Sequence, residues 1–387
     1  MTFTAPYGSF PSVYRVFVLL LLLLVSPLLM SCGEDEKGPS KPIADSSAKK
    51  EGVVRGEGGG STPPVASETA TEFADAAPVV DSAASFGFTI RPRVGDIYHY
   101  RIAQKANTQV DSMKGIEETV YAFHQKITGL NDDGSLTMEM IYDSIRYNLN
   151  LPPSPLNPKA ESFSYSTRQK PDEKIPVTVQ AHALIGRKVN LTISARGEVS
   201  EVSNIEPIVS AMLGRYRDSL SPQDIEQVRA GVKISAYQAM VAQLFLRSRP
   251  NGQVRLGHTW NRRDTVPIGG IPMSVAAVYR LAEVRNVGDD PVGRIAVDLA
   301  FSFPRKKFDL PGGSITLDQA EATGRGEVIQ NLTTGFPTRK TNRIDVRLRM
   351  TARSKEKNAE TGAQTRTVSQ RMTQTLTIEM VDYTRGE

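Results

Sequence analysis

The sequence predicts an α+β fold: two repeat-related, curved antiparallel β-sheets with a helical segment inserted between them. Three observations lead there. Apolar and polar residues alternate at period two along most of the chain from Phe86 onward, the pattern of half-buried strands. Helical periodicity is confined to one region, Ile205 to Arg247, and the order of strand and turn signals before that region recurs after it.

Strands begin near Phe86, where Phe86, Phe88 and Ile90 alternate ahead of Pro92 and Gly95. Tyr98, Tyr100 and Ile102 resume the alternation and Thr119 to Ile127 continue it. Leu136, Met138, Met140 and Tyr142 then alternate with Thr137, Glu139 and Asp143. Asn131-Asp132-Asp133-Gly134 separates the last two runs, and such a cluster between alternating segments forms a hairpin turn. Pro152, Pro153, Pro155 and Pro158 break this meander, and Pro171 to Pro176 mark another irregular stretch. From Gly186, Val189, Leu191 and Ile193 alternate with Lys188, Asn190 and Thr192 as far as the turn Ala195-Arg196-Gly197-Glu198. The first β-rich half therefore spans 86–203.

The helical insertion covers 204–250. Ile205 to Tyr216 opens it, and Ser221-Pro222-Gln223-Asp224 places a serine at an N-cap and a proline at the first helical position. Tyr237, Met240, Val241, Leu244 and Phe245 fall at i, i+3, i+4, i+7 and i+8, which is one helix face. These five are the candidate lining of a ligand groove; closure of the same face as dry core is the competing expectation. Pro250-Asn251-Gly252 stops the helix.

The second β-rich half, 251–387, echoes the first. Leu256-Gly257-His258-Thr259-Trp260 matches Val94-Gly95-Asp96-Ile97-Tyr98, and Val278 to Phe303 matches Tyr121 to Asp143, with Gly288-Asp289-Asp290 at the turn. Asn190-Leu191-Thr192 has its counterpart in Asn331-Leu332-Thr333, ahead of Thr334-Gly335-Phe336-Pro337. Ile344, Val346, Leu348 and Met350 then alternate with arginines and Asp345, and Met372, Leu376, Ile378 and Met380 alternate with threonines and Glu379. The polar run Lys355 to Gly362 joins these two long strands as a hairpin.

The amino-terminal region is of another kind. An apolar run from Val16 to Met30, broken by Pro27, ends at Ser31-Cys32, and Cys32 is the only cysteine in 387 residues. A membrane-spanning helix needs about 20 apolar residues, so this run suits a cleaved leader. Leu28-Leu29-Met30-Ser31-Cys32 resembles the signal of bacterial lipoproteins, in which the cysteine becomes diacylated and stands first in the mature chain. Residues 1–31 are thus expected to be a lipoprotein signal peptide. Residues 32–85, rich in Gly, Ser, Pro, Ala and Thr, are expected to be a disordered tether. The acidic cluster Glu34-Asp35-Glu36 resembles surface-export signals found behind such cysteines.

From about Phe86 to Asp382 the chain resembles an uncharacterised family of bacterial envelope lipoproteins, domains of unknown function. Gly95 with Tyr98, Gly257 with Trp260, Gly186 with Gly197 and Val199, and Gly335-Phe336-Pro337 carry the resemblance. It implies a β-rich envelope protein and transfers no catalytic residue.

No catalytic constellation emerges from the sequence. His99, His124, His182 and His258 lie far apart without the spacing of a local zinc motif, no Gly-x-Ser-x-Gly elbow occurs, and nothing singles out a pair of carboxylates. The expectation is therefore no catalytic residue, no metal and no cofactor. A net charge of +5 is mild for this length and gives nucleic-acid binding little support. The expected partners are a membrane, through the lipid on Cys32, and an apolar small-molecule ligand; the sequence names no protein partner. The leading expectation is a non-enzymatic binding or carrier-like lipoprotein of the cell envelope, on the periplasmic or surface face of the outer membrane. A structural or interaction subunit of an envelope complex and a cryptic hydrolase are the alternatives.

Mass spectrometry of membrane-purified protein should find residues 1–31 absent and Cys32 acylated, and Cys32→Ala should release soluble protein. An unmodified Cys32 overturns the anchor.

Overall fold

The structure, a computed structural model, describes residues 84–386 other than 89, 152–160, 174, 246–249, 251, 269–270, 311–312 and 359–361, together with residues 73, 76 and 78. The expected leader, Cys32, nearly all of the expected tether and the prolines 152–158 lie outside the described residues. Ahead of the helical insertion come strands β1 (Phe86–Gly87), β2 (Ile97–Val110), β3 (Met113–Leu130), β4 (Leu136–Leu151), β5 (Glu161–Ser166), β6 (Lys188–Ile193) and β7 (Val199–Ser203). After it come β8 (Gln253–Val254), β9 (Thr259–Ile268), β10 (Ile271–Val287), β11 (Asp290–Ser302), β12 (Lys307–Leu310), β13 (Gly313–Asn331), β14 (Pro337–Asn358) and β15 (Gly362–Thr384).

Two features of the expected fold are corrected. Strands hold 62% of the described residues and helices 16%, so the class is mainly β rather than α+β. The two expected sheets are a single antiparallel sheet in the order β7-β6-β4-β3-β2-β15-β14-β13-β11-β10-β9, with β5 on β4 and β12 on β13. The cause is β15, which pairs along one edge with β14 and along the other with β2. Alternation reveals which residues of a strand share a face, but not which neighbour the strand takes.

Within this sheet the two halves repeat one order of pairing, β2-β3-β4-β6-β7 and β9-β10-β11-β13-β14. Each begins at a glycine with positive φ, Gly95 at 93° and Gly257 at 79°, a conformation that a side chain would strain. Gly95 N donates to Ile127 O (2.9 Å) and Ile127 N returns a bond to Asp96 O (2.9 Å). Gly257 N donates to Leu281 O (2.8 Å) and Leu281 N to His258 O (3.1 Å), the same ring in the second half.

The helices are α1 (Pro176–Leu184), α2 (Glu206–Leu213), a 3-10 segment (Gly214–Ser219), α3 (Pro222–Gly231), a π segment (Val232–Gln238) and α4 (Ala239–Leu244). Ser221 caps α3 as the sequence predicts: its hydroxyl accepts from Asp224 N (3.2 Å), and Asp224 Oδ2 accepts from Ser221 N (3.3 Å). Helix α1 begins at Pro176, where the stretch expected to be irregular ends, and runs through residues to which the sequence pattern assigns no element. Pro176 stands in its first turn, where a missing N–H costs nothing.

Two large apolar clusters lie on one face of the sheet. In the first, Tyr100, Phe123, Met138 and Tyr142 of the strands pack on Val177, Ile208, Val209 and Val241 of the helices. In the second, Leu281, Ile295, Val297, Leu317, Val346 and Met350 pack with Phe88 and Val254. No helical residue joins the second cluster among the described residues. An apolar sheet face needs a covering layer or must curl upon itself; the first half takes helices, whereas the second has the short β1–β8 ladder and its own side chains.

On the opposite face, part of the expected tether is held. Phe73 is buried with Val292 and Ile329, and Arg285 Nη1 donates to the carbonyl oxygens of Phe73 (3.0 Å) and Ala76 (2.8 Å).

Asp96 ties the chain's end to its first long strand. Fully buried, its carboxylate accepts from the hydroxyls of Tyr98 and Tyr383 (3.0 Å each), from Arg93 N (2.8 Å) and from Gly386 N (2.9 Å). Burial first, and then the bond to Asp96, pushes the Tyr383 hydroxyl up to about 12, so it stays a proton donor at neutral pH. Asp96→Ala strands four donors. A single buried unsatisfied group costs about 1–3 kcal/mol, so urea unfolding should show a loss of about 3 kcal/mol, and a loss below about 1 kcal/mol removes Asp96 from this role.

Candidate functional site

The five groove candidates are core. Tyr237 lies in the π segment, Met240, Val241 and Leu244 on α4, and Phe245 caps it; all are 3% exposed or less. Tyr237 meets the Tyr142 ring at 5.8 Å and Phe245 meets Phe336 at 5.0 Å, both edge-on. The Tyr142 hydroxyl donates to Ala236 O, which fastens the π segment to β4. Met138, Met140 and Met380 share this cluster, while Met350 and Met372 belong to the second.

Between the clusters the same face turns polar. Strand register aligns Thr119, Gln104, Leu376, Asn342 and Gly326 in one row across β3, β2, β15, β14 and β13. The next row holds Tyr121, Ile102, Ile378, Lys340 and Val328. Gln374 stands one step away on β15, paired with Ala106 and Ile344. Thr119, Gln104, Asn342, Lys340 and Gln374 are all buried, none above 8% exposed.

Buried polar groups are costly unless they are bonded, and a buried charge more so. Lys340 Nζ donates to Gln243 O (2.8 Å), so the ammonium reaches the helical layer from the sheet. Asn342 Oδ1 accepts no hydrogen bond among the described residues. A cation and several amides thus converge at the border between a helix-covered apolar cluster and a helix-free one. That arrangement suits a ligand with a polar, anionic end and an apolar body.

The face away from the helices carries a second constellation. His99 and His124 are direct cross-strand partners on β2 and β3, with ring centroids 5.2 Å apart and planes 30° from parallel. His124 Nδ1 lies 2.9 Å from Asp143 Oδ1. One ligand atom from each of the three residues lies within 4.8 Å of the others. By contrast His182 is exposed on α1, and His258 stacks on Trp260 at 6.3 Å. Distance along the sequence concealed the His99–His124 pair. The signal that reveals it is the tight turn at Asp111, with φ 51°, which pairs Val110 with Met113 and fixes every partner behind it.

Residues 133–337, from the β3–β4 turn to the start of β14, match the family model described as a family of unknown function, DUF6263. The chain belongs to that family. No curated protein matches it. Among solved structures, it is similar to one titled for lipid–protein interactions in lipovitellin, at 9% identity and TM-score 0.38 over 77% of this chain. The chain spans 26% of that lipovitellin chain. An outer membrane channel from Pseudomonas putida F1 aligns at 9% identity and TM-score 0.18, over 77% of this chain and 100% of the channel.

The two faces should respond differently to substitution. Leu244→Ala opens a cavity in a filled core and should cost about 2–5 kcal/mol in urea unfolding. His99→Gln, on the outer face, should stay within about 0.5 kcal/mol. Equal, small effects would mean that α4 does not close the first cluster.

Proposed function

We propose that this DUF6263 protein is an envelope lipoprotein, anchored by a diacylated Cys32, that binds an anionic amphiphile without catalysing a reaction. The acyl chain lies against the helix-free cluster around Val346, Leu348 and Met350, and the acidic head meets Lys340 beside Gln104, Asn342 and Gln374. One observation carries this reading: a buried ammonium and amides stand in register at the border of the apolar cluster that has no helical layer. The acyl-chain site moves from the Tyr237–Phe245 face, where the helices themselves supply the covering layer, to the second half, whose cluster includes no described helical residue. Two acyl chains on Cys32 suffice for stable anchoring, so the folded part is free to hold a separate ligand.

Delipidated protein titrated with a fluorescent fatty acid should bind saturably. Lys340→Met should weaken the acid at least about tenfold, or 1.4 kcal/mol, and leave the alcohol of equal chain length nearly unchanged. Absence of saturable binding, or equal effects on acid and alcohol, overturns the proposal.

A further inference from the structure

We propose that His99, His124 and Asp143 form a site for a divalent transition metal ion of the zinc, nickel and copper group. It lies on the sheet face opposite the amphiphile site, and neither proposal rests on the other.

The donor set selects the metal. Two imidazoles and a carboxylate suit zinc, copper or nickel, whereas calcium and magnesium take oxygen ligands. Zinc holds nitrogen and oxygen donors at about 2.0–2.2 Å, which places neighbouring donors of a tetrahedron about 3.3 Å apart. The His124 Nδ1 to Asp143 Oδ1 separation of 2.9 Å is already close to one such edge, so the ion takes the place of the proton shared there. His99 completes the set from within 4.8 Å by rotation of a half-exposed ring.

Placement argues that the cluster is built. Strand β4 alternates inward at Leu136, Met138, Met140 and Tyr142, then slips and resumes inward at Ile145 and Tyr147. The slip is a bulge: Phe123 pairs with Tyr142 and Ala122 with Ser144, which leaves Asp143 as the extra residue. Bulges re-aim a side chain, and this one leaves Asp143 exposed and bonded to His124. A second bulge lies on the other flank, where Tyr100 pairs with Met380 and His99 with Asp382, with Val381 the extra residue. Asp382 thereby becomes the cross-strand partner of His99, and its Oδ1 accepts from Tyr383 N (2.8 Å). The nearest cation along β2, Arg101, lies 3.9 Å from Glu379.

A surface His–Asp pair alone contributes about 0.2–1 kcal/mol and needs neither His99 nor a bulge on each flank. Three protein ligands leave one position of a tetrahedron open. With 43% of the Asp143 side chain and 28% of His124 exposed, that position faces solvent and takes water or an outside donor.

Calorimetric titration of the full-length protein in detergent with Zn2+, and separately with Mg2+ and Ca2+, tests the site. One Zn2+ should bind per chain, with no response to Mg2+ or Ca2+. His99→Gln, His124→Gln and Asp143→Asn should each weaken Zn2+ at least about tenfold, since even the loss of an outer partner costs about 10–100-fold, while His182→Gln and His258→Gln should not. A readout on the unaltered protein is the histidine ring-proton spectrum, in which Ni2+ should broaden His99 and His124 before His182 and His258. Absence of Zn2+ binding, undiminished binding in His99→Gln or His124→Gln, or equal broadening of all four rings overturns the site.

Discussion

The pairing of β15 along both edges is the constraint on which the rest of the structure depends. It joins two meanders into one sheet by lying between β2 and β14, and so makes one continuous face out of two. The polar row exists only because of it: Leu376 is the step between Gln104 and Asn342, and Ile378 the step between Ile102 and Lys340. Its far end then closes on Asp96 through Tyr383 and Gly386. A chain end held by a buried carboxylate cannot slide by one residue without turning its side chains to the wrong face.

Local features were readable from the sequence where local chemistry decides them. Ser221 and Asp224 form the expected cap because their spacing fits a helix N-terminus, and Asn131 to Gly134 turn the chain because Gly134 takes φ 78°. The long final hairpin, β14 into β15, likewise follows from alternation on either side of a polar run. What sequence pattern did not reveal was partnership. Nothing in the residues of β15 specifies β2 as its second neighbour, and that pairing is what turns two sheets into one. The same blindness hid the candidate metal cluster, since His99 and His124 meet only through register counted back from Asp111. Helix α1 was missed for a different reason: Pro171 and Pro176 read as irregular, although proline at a helix's first position is favourable.

The buried polar row sits where energetics alone would place apolar residues. Lys340, Asn342, Gln104 and Gln374, together with Thr119 and Gln125, interrupt the alternation of apolar residues on a face that is otherwise mostly Ile, Val, Leu, Met, Ala and aromatic. Replacing such a group with a well-packed apolar one is often neutral or stabilising. Part of the cost is offset by the bond from Lys340 to Gln243 O, which also registers the helical layer against the sheet. Asn342 Oδ1 retains an acceptor without a donor among the described residues.

The asymmetry between the halves is where function has room. Both follow one order of strands, but the chain leaves them differently: after β7 it forms the helical insertion, and after β14 it forms β15. The first half therefore receives a layer of side chains that fills its face, with Tyr237, Val241 and Leu244 buried against strand residues such as Tyr142. The second half receives one more strand, which extends the apolar face instead of covering it. A repeat whose face is filled from its own continuation needs nothing further to bury. Its counterpart must bury the same kind of face with strand side chains and the short β1–β8 ladder, and an added acyl chain would supply the apolar contact that the helices supply in the first half.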